Sequence, residues 1–204
     1  MAFSWDDSGR AFAAAAGWFV RTAGLVGDRW DRPALGEWDV RALVGHTSRS
    51  LLTVEAYLAR PAAAVEVGSA ADYFRATSAA AAGPAVAVRG REAGTALGAD
   101  PAAAVARIAA RVLPLVDARD GTELLTTAAG GMRLADYLPT RTFELAVHTA
   151  DLATALGGPA EVPAPAAVQA LAILTDLALA AGLAGPLLLA ATGRPAFPAG
   201  FSVL

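Results

Sequence analysis

The chain has two histidines, His46 and His148, and neither a cysteine nor a lysine. Any nucleophile must therefore come from a hydroxyl, a carboxylate, a metal-bound water or a cofactor. Glu144 and His148 are four residues apart, so on a helix both side chains can reach one point. Two imidazoles and a carboxylate form a three-ligand set with an open position, as in catalytic zinc sites. Nickel, iron and manganese accept the same donors, so the residues do not select the metal. The plainer reading is a surface ion pair between Glu144 and His148, worth roughly 0.2–0.5 kcal/mol. Against it, both histidines fall on polar stripes flanking a leucine core, and neither lies in a turn.

Such a set needs two helices side by side. Residues 133–156 read as one helix, with Leu134, Leu138, Leu145, Leu152 and Leu156 on an apolar stripe. Tyr137, Arg141, Glu144, His148 and Asp151 lie on a polar stripe beside it. Pro139 is expected to kink this helix or delay its start. Another helix should begin after Asp39, a good N-cap, and run to Leu58 ahead of Pro61. Val40, Leu43, Val44, Thr47, Leu51, Val54 and Leu58 form its core stripe; His46, Ser50, Thr53 and Tyr57 flank it. Packed through their leucines, the two helices would line a cleft with their polar stripes.

The remaining segments read as helical scaffold. A first helix spans about Asp6 to Val26, and residues 27–38 form a loop with Pro33 and Gly36. The stretch 70–119 is broken at Gly83-Pro84 and near Gly98, with Asp100 and Pro101 opening a new helix. Gly130-Gly131 closes a loop, a last long helix starts near Pro165, and the tail 193–204 should lie extended on the bundle. No convincing pair of strands is visible. The expected fold is all-α, an up-and-down bundle forming one domain over residues 1–204.

The hydrophobic fraction is 55%, much of it alanine, which favours closely packed helices. Net charge is −3 with no basic tract, so nucleic acid is not an expected partner. The N-terminus carries Asp6 and Asp7 and no basic residue before Arg10, so no signal peptide is expected. The apolar stretch 164–191 contains Gln169 and Asp176 and is broken at Gly182 and Gly185-Pro186, unlike a membrane span. The expectation is a soluble cytoplasmic protein acting on small molecules, with a homodimer left open.

The stretch Trp38-Asp39-Val40-Arg41-Ala42-Leu43-Val44-Gly45-His46 resembles the W-x-V-x-x-L-x-x-H start of the second helix in the mycothiol-dependent maleylpyruvate isomerase family. That family is part of the DinB-like superfamily of metal-binding four-helix bundles. Arg141 to Asp151 resembles its R-x-x-E-x-x-x-H-x-x-D helix, and Gly131-Met132 and Tyr137-Leu138 fit the approach to it. The ending 189–204, with Thr192-Gly193-Arg194, looks like the tail of shorter actinobacterial members. The resemblance covers most of the chain and is loose over residues 62–120. It implies a DinB-like four-helix bundle with additional C-terminal helices. It also implies zinc, or another divalent metal, held by His46, Glu144 and His148, with mycothiol as the reactive cofactor. The isomerase itself carries a further C-terminal α/β domain; a chain of 204 residues is not expected to hold one, which leaves maleylpyruvate open as a substrate.

A metal-activated thiolate would attack an electrophilic substrate, giving an isomerase or an S-transferase. Arg141 suits a substrate carboxylate, or else an ion pair with Glu144 or Asp151. Asp151 suits support of His148 or a fourth ligand, or else is a surface acid. Ser50, Thr53 and Tyr57 would line the pocket or make interhelical hydrogen bonds. Trp18, Trp30 and Trp38 read as packing residues, Trp38 at the start of the second helix, and Arg41 and Arg49 as solvated. Two other functions compete: a non-catalytic binding bundle, and a metal-dependent hydrolase that uses water without a thiol.

Overall fold

The computed structural model describes residues 3–81, 85–194 and 201–203. Helix α1 (Trp5–Gly24) is capped by Ser4, whose hydroxyl accepts from the Asp7 N–H. Helix α2 (Val40–Leu58) begins at the N-cap Asp39, whose carboxylate accepts from the Ala42 N–H at 2.7 Å. Then come α3 (Ala70–Ala81), α4 (Ala85–Ala96), α5 (Pro101–Asp117), α6 (Leu134–Ala155), α7 (Ala164–Ala180) and α8 (Ala184–Ala191). Asp100 caps α5 by accepting from the Ala103 N–H, and Pro101 occupies its first turn, where no N–H partner is required. The expected break at Gly83-Pro84 lies outside the described residues.

Four of these helices close a ring. α1 packs on α5 and α6, and α2 packs on the same two. Phe12, Phe19, Leu43, Leu51, Val105, Val112, Leu138 and Leu145 meet in its core. Around the ring, α4 lies on α2, α7 covers α1 and α6, and α3 leans on α6 and α7. The protein is therefore all-α in class, with α2 and α6 as neighbours. No helix among the described residues is long and apolar enough to cross a membrane. Of the tail, Val203 packs against the core, and residues 195–200 and 204 lie outside the described residues.

Two short hairpins correct the expectation of no strands. β1 (Pro33–Leu35) pairs antiparallel with β2 (Trp38–Asp39), and β3 (Leu124–Thr127) pairs with β4 (Gly130–Arg133). Each leads directly into one helix of the candidate site. The first N–H groups of a helix have no intrahelical acceptor. At α2, Val40 and Arg41 donate to the carbonyls of Arg32 and Trp30, both at 2.9 Å. At α6, which has no side-chain cap, Leu134 and Ala135 donate to the carbonyls of Glu123 and Gly121. The segments that lead into the two hairpins thus cap the two helices and fix the direction in which each leaves. Pro139 does not delay α6, which starts at Leu134 and runs through it.

Glycine sets the closest helix contact. A Cβ on Gly45 would fall far inside the van der Waals radii of Gly94 N and Cα. One on Gly94 would lie 2.7 Å from the Arg41 carbonyl oxygen. α2 and α4 therefore cross backbone on backbone, directly beside His46.

Candidate metal centre

The second and sixth helices bring the two polar stripes face to face. His46 lies against His148, with ring centroids 4.8 Å apart, and further along Thr53 meets Tyr137. The order of these contacts makes the helices antiparallel. His46 Nε2 is 3.9 Å from Glu144 Oε2, and His148 Nε2 is 3.3 Å from the same oxygen. One donor atom from each residue lies within 4.8 Å of the others. Donors on a tetrahedral ion with bonds near 2.0–2.1 Å stand roughly 3.3 Å apart, so small movements would close this set around an ion. The side chains are 21%, 22% and 18% exposed for His46, Glu144 and His148. A small solute can reach them, while most of bulk water is kept away.

His148 Nδ1 donates to Asp151 Oδ2 at 3.1 Å. That bond fixes the ring and leaves Nε2 directed at Glu144, the arrangement that supports metal-binding histidines. Asp151 stands behind His148, on the far side from Glu144. Burial alone would lower the His148 pKa, but hydrogen bonds and charge from Asp151 and Glu144 outweigh it and lift it to about 9. Burial works against ionisation of Glu144 as well, yet the His148 bond and the charges of Arg141, His148 and His46 hold it at about 2. His46 falls to about 4, through burial first and the neighbouring His148 charge second. Its Nδ1 is buried without a hydrogen-bond partner. At neutral pH the metal-free cluster therefore holds one imidazolium, one neutral imidazole and one carboxylate.

Trp38 forms the back wall, a role its sequence position did not disclose. Its ring sits 4.5 Å from that of His46 and 6.4 Å from that of His148. The indole N–H donates to the Ala87 carbonyl, and Gly90 gives the ring room: a Cβ there would lie 2.5 Å from it. The eight-residue spacing from Trp38 to His46 and a glycine in α4 were the available signals.

Arg141 makes no ion pair with Glu144 or Asp151 among the described residues. It is buried, with its guanidinium 5.1 Å from the Tyr73 ring centroid and 5.0 Å from that of Tyr137, and its Nε donates to Thr140 Oγ1. Ser50 is buried one turn after His46. Tyr57 packs on Tyr137 at 5.3 Å, and the Tyr137 hydroxyl donates to Thr53 Oγ1 at 2.9 Å, so interhelical bonding is realised there. Arg41 is not simply solvated: it lies over Trp30 and donates to the Gly98 carbonyl.

The family model described as the mycothiol maleylpyruvate isomerase N-terminal domain matches residues 11–153, which include His46, Glu144 and His148. No curated protein and no solved structure matches the chain.

Proposed function

Because the chain belongs to the mycothiol maleylpyruvate isomerase N-terminal domain family, we propose that it binds a divalent metal through His46, Glu144 and His148. We further propose that it serves a mycothiol-dependent isomerisation or S-transfer on a small electrophile in the cytoplasm. The observation that carries this reading is the convergence of three donor atoms from two helices, with Asp151 already bonded behind His148. A bound divalent ion lowers the pKa of a coordinating thiol enough to hold it as thiolate, the nucleophilic form. The chain's own residues prepare the place for it. Asp151 fixes the His148 tautomer and presents Nε2. Burial keeps the His46 ring neutral, with a lone pair to give. Glu144 contributes one negative charge against the ion's two. A chain without cysteine or lysine has no strong nucleophile of its own, which suits a borrowed thiol. Zinc fits the donor set first; nickel, iron and manganese share it.

Elemental analysis tests the metal. Wild type should hold about one divalent ion per chain, as a three-ligand site would. His46→Ala and His148→Ala should lose most of it, and Glu144→Gln less. Equal occupancy in all four proteins would refute the assignment. A cobalt-loaded sample should change its visible spectrum when mycothiol is added. No change, together with thiol-free hydrolysis, would favour a metal hydrolase. A folded protein that takes up no metal would favour a non-catalytic binding bundle.

A further inference from the structure

Ten large apolar side chains stand exposed among the described residues, and five of them fall on two consecutive helices. Val168, Leu171 and Leu179 are on α7 and Leu188 and Leu189 on α8, each 53–64% exposed. The other five, such as Leu25 and Val88, stand singly on separate segments, as surface apolar residues usually do. Helix geometry accounts for the exposure on α7. Ala166, Gln169, Ile173 and Leu177 form its buried side, packed on the ring. Val168, Leu171, Thr175 and Leu179, spaced three and four apart, run down the opposite side.

α8 adds to this face. It has eight residues, with three leucines in a row at Leu187, Leu188 and Leu189, and none of its residues is buried. A helix so short is not stable in water without packing. Its main contacts within the chain are with α7. The five exposed side chains bare on the order of 500 Å² of apolar surface, the upper end for a monomer. With the exposed alanines and prolines around them, the face comes to about 800 Å², the share each partner gives to a stable interface.

The chemistry of the face selects what covers it. Residues 164–191 carry no basic side chain and one acid, Asp176, beside the α7 stripe. A helix that lies on a lipid surface sets basic residues next to its apolar side, and none is present here. Thr175, the polar member of the stripe, donates its hydroxyl to the Leu171 carbonyl at 2.8 Å, so it needs no further acceptor. A face that meets its own copy across a two-fold axis brings each charge near the axis up against its like. An apolar stripe free of charge, with its one hydroxyl already used, meets that condition. We propose that the α7–α8 face joins two copies of this chain as an isologous dimer centred on the outer stripe of α7. The contact needs neither metal nor thiol.

Analytical ultracentrifugation of the intact chain tests it. Wild type should sediment as a dimer at micromolar concentration, with its mass falling on dilution. Leu171→Glu carries one carboxylate from each copy into the contact and should raise the dissociation constant roughly a hundredfold or more. Leu188→Glu should act in the same direction. Both leucines are exposed in the single chain, so circular dichroism should show both variants as folded, helical monomers. Leu25→Glu alters an equally exposed leucine away from this face and should leave the dimer intact. A wild type that stays monomeric at high concentration overturns the proposal; flotation of that monomer with phosphatidylcholine vesicles would assign the face to lipid instead. A dimer that survives both Leu171→Glu and Leu188→Glu, or that Leu25→Glu breaks equally, overturns it as well.

Discussion

Filling the metal site should expel one proton per ion at pH 6.5. The three donors arrive in different states. Glu144, at about 2, is ionised, and His46, at about 4, is neutral. His148, at about 9, still carries its extra proton, because Asp151 and Glu144 hold it there. An ion needs the lone pair of Nε2, so that proton must leave. The cost is the gap between pH 6.5 and about 9, roughly 3 kcal/mol or a few hundredfold in affinity. Protons compete with the ion, so affinity should rise about tenfold per pH unit from 5 to 8. Titration calorimetry of zinc into metal-free protein, repeated in buffers of different ionisation enthalpy, counts the protons directly. Asp151→Asn removes one of the two carboxylates that hold the proton, so the count should fall below one. A count near zero in wild type would refute the imidazolium. A count near two would show that His46 is protonated as well.

The same proton stabilises the metal-free fold. His148 titrates at about 9 in the fold against 6.5 for an ordinary histidine. Its contribution, roughly 3 kcal/mol, is fully present below pH 6.5 and is lost as pH rises through 9. Thermal melts of metal-free protein should show Tm falling across that window, and Asp151→Asn should flatten the fall. Gly45→Ala should cost about 3 kcal/mol or more, because the new methyl meets Gly94 backbone rather than a movable side chain; urea unfolding that matches wild type would contradict the backbone contact. Tyr137→Phe should cost about 1 kcal/mol through loss of the bond to Thr53, with metal content unchanged by elemental analysis.

The site helices were legible because their signals are local. Asp39 followed by an unbroken leucine stripe gives both ends of α2. The repeat from Leu134 to Leu152 gives α6 in spite of Pro139, since the covering helices and hairpin outweigh one missing hydrogen bond. The convergence of His46 with Glu144 and His148 followed from the matching stripes. The β3–β4 hairpin was not legible, because its turn is Ala128-Ala129 and lacks the usual Asn-Gly or Asp-Gly pair. Its positive φ falls on Gly130 at the head of β4 instead. What Arg141 touches was also hidden: Tyr73 comes from α3, nearly seventy positions away, and no periodicity reports such a meeting.

The glycine crossing of α2 and α4 also has a bearing on motion. Where side chains separate two helices, rotamer changes let them slide; where backbones touch, there is nothing between them to rearrange. His46, the Trp38 wall anchored on Ala87 and the Gly90 notch beneath it should therefore move as one stiff plate. Any breathing that admits a guest must come from the opposite side, where α6 is met by α3 and by the β3–β4 hairpin. Amide hydrogen exchange should divide along that line, with slow exchange in the middle of α2 and earlier opening in α3.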